Sequence, residues 1–113
     1  MKSKITALSK NEEFKNLLKK KKLSNKYVTI FYGNLENKKN SKLNISFVTK
    51  KKIGNAVKRN KIKRRLKNIM NDAVKKIKVK FDYSYLVIAK PPMLNNEFKN
   101  IKETLFKEFS KIK

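Results

Sequence analysis

The chain has 113 residues, a formal net charge of +24 at pH 7, and no cysteine, histidine or tryptophan. That composition excludes a disulfide framework, a thiolate metal site, a cysteine nucleophile and the usual neutral-pH proton carrier. Hydrophobic residues at 39%, including four tyrosines and seven phenylalanines, exceed what a disordered basic tail carries, so one packed domain over residues 1–113 is expected.

Ser9-Lys10-Asn11-Glu12 reads as a capping box opening a short helix that places Phe14, Leu17 and Leu18 on one side. That helix is expected to run out in Lys19 to Lys22, where cations complement the dipole. Tyr27 to Tyr32 is β-branched and aromatic and predicts a strand. Gly33 and Asn34 open a polar loop that lasts to Lys42. In the next strand Leu43, Ile45 and Phe47 alternate with Asn44 and Ser46, which predicts one buried face and, after so short a loop, an antiparallel hairpin.

Lys50 to Gly54 breaks that strand, and Asn55 is placed to cap the longest helix. There Ile62, Leu66, Ile69, Met70, Ala73, Val74 and Ile77 recur with helical spacing. Tyr83 to Ala89 predicts a third strand, stopped by Pro91 and Pro92. A last helix, starting near Asn95 or Asn96, aligns Phe98, Ile101, Leu105, Phe109 and Ile112, and Phe106 is also assigned to packing. The order α-β-β-α-β-α predicts an α+β sandwich, a small sheet packed with three helices in a single domain.

No repeat or linker divides the chain. Met1 to Lys10 carries no signal-like apolar run and no eighteen-residue apolar stretch occurs, so a cytoplasmic protein is expected. Basic amphipathic helices also coat anionic lipid, but apolar residues spread over strands and helices suit a core better. A domain with this charge repels itself until a polyanion neutralises it, and nucleic acid is the commonest such partner.

Most lysines here carry little information because lysine is everywhere, and a surface lysine is usually a solvated charge. Arginine differs: the chain has only Arg59, Arg64 and Arg65. A guanidinium matches phosphate with a planar fork and stacks on bases, which an ammonium does not. Lys58, Arg59 and Lys61 fall in the first turns of the long helix, where each cation typically costs about 0.3–1 kcal/mol against the dipole. Helix stability therefore does not explain them, whereas an incoming phosphate reverses the sign. At 100° per residue Asn60, Arg64 and Lys67 lie opposite the apolar stripe, and Lys61, Arg65 and Asn68 share a flank. Arg59 and Lys63 lie at the stripe's other edge. The cluster points to a site; the alternatives are chance clustering or a local ion pair, and the ion pair is a weak one because Asp72 is the only acid on that helix.

The run from Lys51 to Leu66, Lys-Lys-Ile-Gly-Asn-Ala-Val-Lys-Arg-Asn-Lys-Ile-Lys-Arg-Arg-Leu, resembles the signature of the bacterial ribonuclease P protein subunit. Lys61 stands where that family has an arginine, a point charge in place of a fork. The resemblance extends to length, charge and element order. It implies one further short strand, giving α-β-β-(β)-α-β-α with a mixed sheet, and a left-handed β-α-β crossover, against the hand that about 98% of such units take.

It also implies a protein that binds a catalytic RNA and the 5′ leader of precursor tRNA and assists endonucleolytic removal of that leader. Catalysis, with Mg2+, would belong chiefly to the RNA. The RNA-binding set on and before the basic helix is then Lys51, Lys52, Asn55, Lys58, Arg59, Asn60, Lys61, Lys63, Arg64, Arg65 and Lys67. Leader-cleft candidates between the first helix and the sheet are Phe14, Leu18, Tyr27, Phe31 and Tyr32, with Leu18 standing where the family often has a second aromatic. Strand alternation separates Tyr32 from Tyr27 and Phe31 without telling which set faces the cleft. Each of these aromatics could equally be core.

The eight acids form no paired-carboxylate motif, and no histidine is present to activate a serine, so the chain alone is expected to bind RNA without cutting it. Glu12 belongs to the capping box, and Glu103 and Glu108 have lysines three or four residues away. No obligate protein partner is evident. A ribosomal or assembly protein with purely structural RNA contacts fits the composition equally and is separated only by the signature. A helix-turn-helix DNA regulator would need a second helix where Leu43 to Thr49 reads as strand.

Overall fold

The computed structural model describes residues 5–6, 11–34, 43–77, 79, 83–95 and 97–112. Its elements in chain order are β1 (Ile5–Thr6), α1 (Asn11–Leu18), β2 (Lys21–Ser24), β3 (Val28–Asn34) and β4 (Leu43–Val48). A single 3₁₀ turn at Lys51–Ile53 leads to α2 (Ala56–Lys76), followed by β5 (Tyr83–Ala89), α3 (Pro92–Asn95) and α4 (Phe98–Ser110). The α+β class and the three main helices agree with the sequence reading. The expected capping box and the 35–42 loop lie outside the described residues or side chains.

The strands form one mixed five-stranded sheet in the order β1-β4-β5-β3-β2. The expected hairpin between β3 and β4 does not exist, because β5 lies between them. It runs antiparallel to β3, from Val28↔Ala89 to Asn34↔Tyr83, and parallel to β4, from Asn44↔Ser84 to Val48↔Ile88. The reason is burial: Ser84, Tyr85, Leu86 and Val87 are all buried, and a strand covered on both faces belongs in the centre of a sheet. In β4, likewise, Asn44 and Ser46 are buried along with Leu43 and Ile45, correcting the expectation of one buried face. Alternation of polarity marked the two faces, but small polar side chains on an inner strand are covered by the strands beside them.

A second correction concerns Lys19 to Lys22. The helix stops at Leu18, and Lys21–Ser24 forms an edge strand against β3, with Lys22 opposite Phe31 and Ser24 opposite Thr29. Asn25 turns this hairpin, its Oδ1 accepting from the backbone N–H groups of Tyr27 at 2.8 Å and Val28 at 3.0 Å. Lysine-rich edge strands resist pairing with other chains, so the cations there have a structural use as well.

The main core lies on one face of the sheet. Ile62, Leu66, Ile69, Met70 and Ala73 of α2 and Ile101, Leu105 and Phe109 of α4 pack onto Val28, Ile30, Leu43, Ile45, Tyr85 and Val87. Tyr85 and Phe109 meet edge to face at 5.5 Å. Helix α4 starts two to three residues later than expected because Pro92–Asn95 makes its own turn, seating Met93 in the core. Lys102 Nζ donates to Asp72 Oδ2 at 2.6 Å and ties α4 to α2.

The other face is only partly covered. Leu17 of α1 is fully buried against Leu86, and Phe14, Phe31, Val48 and Ile88 surround this pair half-buried. Two rows of side chains cross this face: Lys22, Phe31, Leu86 and Ser46, then Ser24, Thr29, Ile88 and Val48. The second row lies at the end of β4 from which the chain passes directly to the 3₁₀ turn and α2.

Candidate nucleic-acid interface

The basic surface is built from a firm anchor. Ile53, 7% exposed, plugs the 3₁₀ turn into the core and leaves Lys51 and Lys52 outside. Gly54 follows with φ 158° and ψ −169°, a region essentially reserved for glycine, and a Cβ there would meet Lys58 Cδ at 2.9 Å. Asn55 then caps α2 as expected, its Oδ1 accepting from the Lys58 N–H at 3.0 Å.

No acid occupies the first turn of α2. Lys58, Asn60, Lys61, Lys63, Arg64 and Lys67 are exposed, whereas Arg59 and Arg65 are half-buried. Among the described residues no ion pair engages any of the three arginines, and Arg59 Nε is buried without a hydrogen-bond partner. The helix's only acid, Asp72, is taken by Lys102, whose hydrogen bond and charge hold the Asp72 carboxyl below its ordinary value. Among the described residues the guanidiniums therefore stand unneutralised, Arg59 near the N-terminus of α2, where the dipole favours anions, and Arg64 and Arg65 farther along the helix.

The leader-cleft candidates divide between the two faces of the sheet. Phe14 and Phe31 share the partly open α1 face, with Leu18 beside them on α1 and 50% exposed. Tyr27 and Tyr32 lie on the opposite side. Tyr27 is 4% exposed in the main core under the Lys26 ammonium, and Tyr32 packs with Tyr83 and Tyr85 at 5.6 and 6.4 Å. The structure does not bring these two tyrosines to Phe14.

The same face holds residues that sequence reasoning missed. Lys22 shares it through its pairing with Phe31, its Nζ 6.0 Å from the ring centroid. The aliphatic stem of Lys20 lies against Gly33, where a Cβ would approach it to 2.9 Å. Ser24, Thr29, Val48 and Ile88 complete the next row. The only sequence signal for Lys22 was the lysine run itself, and reading it as a helix tail hid the pairing.

Known proteins resemble this chain along almost its whole length. The family model described as Ribonuclease P matches residues 2–113. The Ribonuclease P protein component of Carboxydothermus hydrogenoformans is 36% identical over 107 residues, covering 91% of this chain and 87% of that protein. That of Bacillus pumilus is 36% identical over 105 residues, covering 92% and 85%. Among solved structures, the RNase P protein of Staphylococcus aureus superposes with a TM-score of 0.77 at 26% identity, covering 94% of this chain and 93% of that one. The Thermotoga maritima protein shares the fold with a TM-score of 0.80 at 20% identity, covering 96% and 98%. With the match running essentially end to end, this chain belongs to the ribonuclease P protein family.

Proposed function

We propose that this chain, acting as one RNA-binding domain, serves its ribonucleoprotein through two adjoining surfaces. The basic helix α2 and the turn before it hold the catalytic RNA, and the α1 face of the sheet holds the 5′ leader of precursor tRNA. Family membership makes the chain the protein subunit of ribonuclease P, an endoribonuclease that frees the tRNA 5′ end by RNA-based catalysis. The observation that carries the division of labour is the adjacency of the two surfaces. Arg59, Arg64 and Arg65, unpaired with any described acid, sit on the helix that follows directly from β4, whose Val48 lines the open face.

Phosphate binding along α2 uses guanidinium forks and a dipole already aligned. Single-stranded RNA needs aromatic platforms beside a cationic track, and Phe14 and Phe31 flanked by Lys22 supply both in this reading. The bond-breaking step is assigned to RNA, with Mg2+ held there and by the substrate. Among the described residues no group of three or more acids, histidines or cysteines able to hold a metal ion converges. A cytoplasmic location accords with the reading; no helix among the described residues is long and apolar enough to cross a membrane.

Reconstitution with a ribonuclease P RNA at low magnesium tests the proposal. Adding the protein should raise precursor cleavage and make the holoenzyme bind precursor more tightly than mature tRNA. Unchanged cleavage and no preference for the leader would contradict it.

A further inference from the structure

Glu13 is buried on α1, an unusual place for one of eight acids in a chain with 32 basic residues. It stands one helical turn before Leu17, so the two share the side of α1 that meets the sheet, where Leu17 packs on Leu86. Asn44 and Ser46 of β4 share a face with Val48, and Ser84 of β5 shares it with Leu86 and Ile88, so all three polar residues lie on the α1 side. All three are buried, and Ser84 Oγ has no hydrogen-bond partner among the described residues. The chain enters α1 from β1, at the β4 edge of the sheet, and leaves it into β2, at the opposite edge. The Glu13 turn of α1 therefore lies toward β4 and its polar residues, and the Leu17 turn toward β3.

The seat of α1 is apolar at one end and polar at the other. Among the described side chains of this helix Leu17 is the only buried hydrophobe. Apolar contact is not directional, so one leucine holds the helix down without fixing its rotation. A carboxylate facing hydroxyls and an amide is directional and fits in one arrangement. Replacing a buried ionic group by a hydrophobe of similar size is often neutral for stability, so what the acid supplies here is orientation. Phe14 is the next residue, about 100° round the helix, half-buried at the edge of the seat. Rotating α1 by one residue's worth would bury that ring or carry it off the open face.

We infer that Glu13 is a positioning residue: seated over the polar patch of Asn44, Ser46 and Ser84, it fixes the rotation of α1 and so holds the Phe14 ring at the edge of the open face. Glu13 itself touches no RNA. Its effect on precursor binding rests on the leader-binding reading of this face, whereas its effect on the ring belongs to the free protein and is measured there.

The test has two arms. The chain has no tryptophan, so Phe14→Trp places a single fluorophore at the ring. In that background Glu13→Met, similar in length but apolar, should change acrylamide quenching of the free protein, and Glu13→Gln, which keeps a hydrogen-bonding group, should leave it at the parent value. In the holoenzyme reconstituted with a ribonuclease P RNA, Glu13→Met alone should raise KM for precursor about fivefold, the worth of one weakened stacking contact. Turnover at saturation, affinity for mature tRNA and melting temperature should stay at wild type, and Glu13→Gln should restore KM. A residue that only stabilises the fold would instead lower the melting temperature of Glu13→Met. Ser46→Ala, on the other side of the seat, should shift quenching and KM in the same direction, and it carries the test if Glu13→Met does not fold. A wild type with no preference for precursor over mature tRNA would refute the leader-binding reading, and the quenching arm would still decide the role of Glu13. With that preference intact, unchanged quenching and KM in the folded variants, or a KM effect that Glu13→Gln does not restore, overturns the inference.

Discussion

Lys22 stands directly opposite Phe31 in the β2–β3 ladder, with its ammonium 6.0 Å from the ring centroid on the sheet face that α1 only half covers. A base laid on the Phe31 ring would bring its phosphate within reach of that ammonium. The pair should therefore separate by experiment. Lys22→Ala should reduce the slope of log affinity against log salt by about 0.7, one phosphate contact on a single strand. Phe31→Ala should cost about 1–3 kcal/mol of precursor binding without changing the slope. Fluorescence titrations over a salt series measure both.

Leu18 offers a gain-of-function prediction. It is 50% exposed beside Phe14, so a larger ring there meets no crowded core. Leu18→Phe should strengthen leader binding by about 1 kcal/mol, the low end of base–aromatic stacking, and leave the melting temperature within a few degrees of wild type. Weaker precursor binding by the folded variant would contradict the placement of Leu18 on the leader path.

The Asp72–Lys102 contact predicts a pH dependence of stability. Lys102 hydrogen-bonds the carboxylate and holds its pKa in the folded protein below the ordinary 3.8 of the unfolded chain. A depressed carboxyl pKa contributes stability that is fully present well above 3.8 and is lost as pH falls through the folded value. Asp72→Asn should therefore melt below wild type at pH 6, with the gap closing as both are taken below pH 3.8. Thermal denaturation across that range checks the sign. A gap that widens in acid would contradict it.

A net charge of +24 on so small a domain predicts anion-dependent folding. Sulfate or phosphate bound at α2 favours the native state by mass action, whereas chloride at equal ionic strength only screens. Melting temperature should rise more with sulfate, and the excess should shrink when Arg64 and Arg65 are replaced by alanine. Equal responses to the two salts would show that screening alone is at work.

The parts of this molecule legible in the sequence are those fixed by local spacing. Ile62, Leu66, Ile69, Met70 and Ala73 are buried where the helical period put them, and Asn55 caps the helix it was expected to cap. What escaped depends on contacts distant in sequence. Tyr83–Ala89 inserts between β3 and β4, and nothing local distinguishes that from a hairpin beside a third strand. Lys21–Ser24 shows no apolar alternation, since an edge strand needs only Leu23 to touch the core. That Phe31 and not Tyr32 lines the open face follows from α2 and α4 crowding the other side, a property of the whole assembly. The arginine cluster was legible by composition, while the half-burial of Arg59 and Arg65 was only partly so.

In the proposed complex Arg59, Arg64 and Arg65 recognise RNA by the shape of their guanidiniums and not by charge alone. Replacing all three with lysine in the reconstituted complex tests it most directly, with circular dichroism confirming the fold because Arg59 is half-buried. Counterion release is the same for both cations, so the salt slope should stay at its wild-type value. Affinity for the catalytic RNA should nevertheless fall by about 1–3 kcal/mol, the worth of charge-assisted hydrogen bonds that an ammonium does not reproduce. Wild-type affinity and cleavage in a folded triple-lysine protein would show that positive charge suffices and would contradict the account.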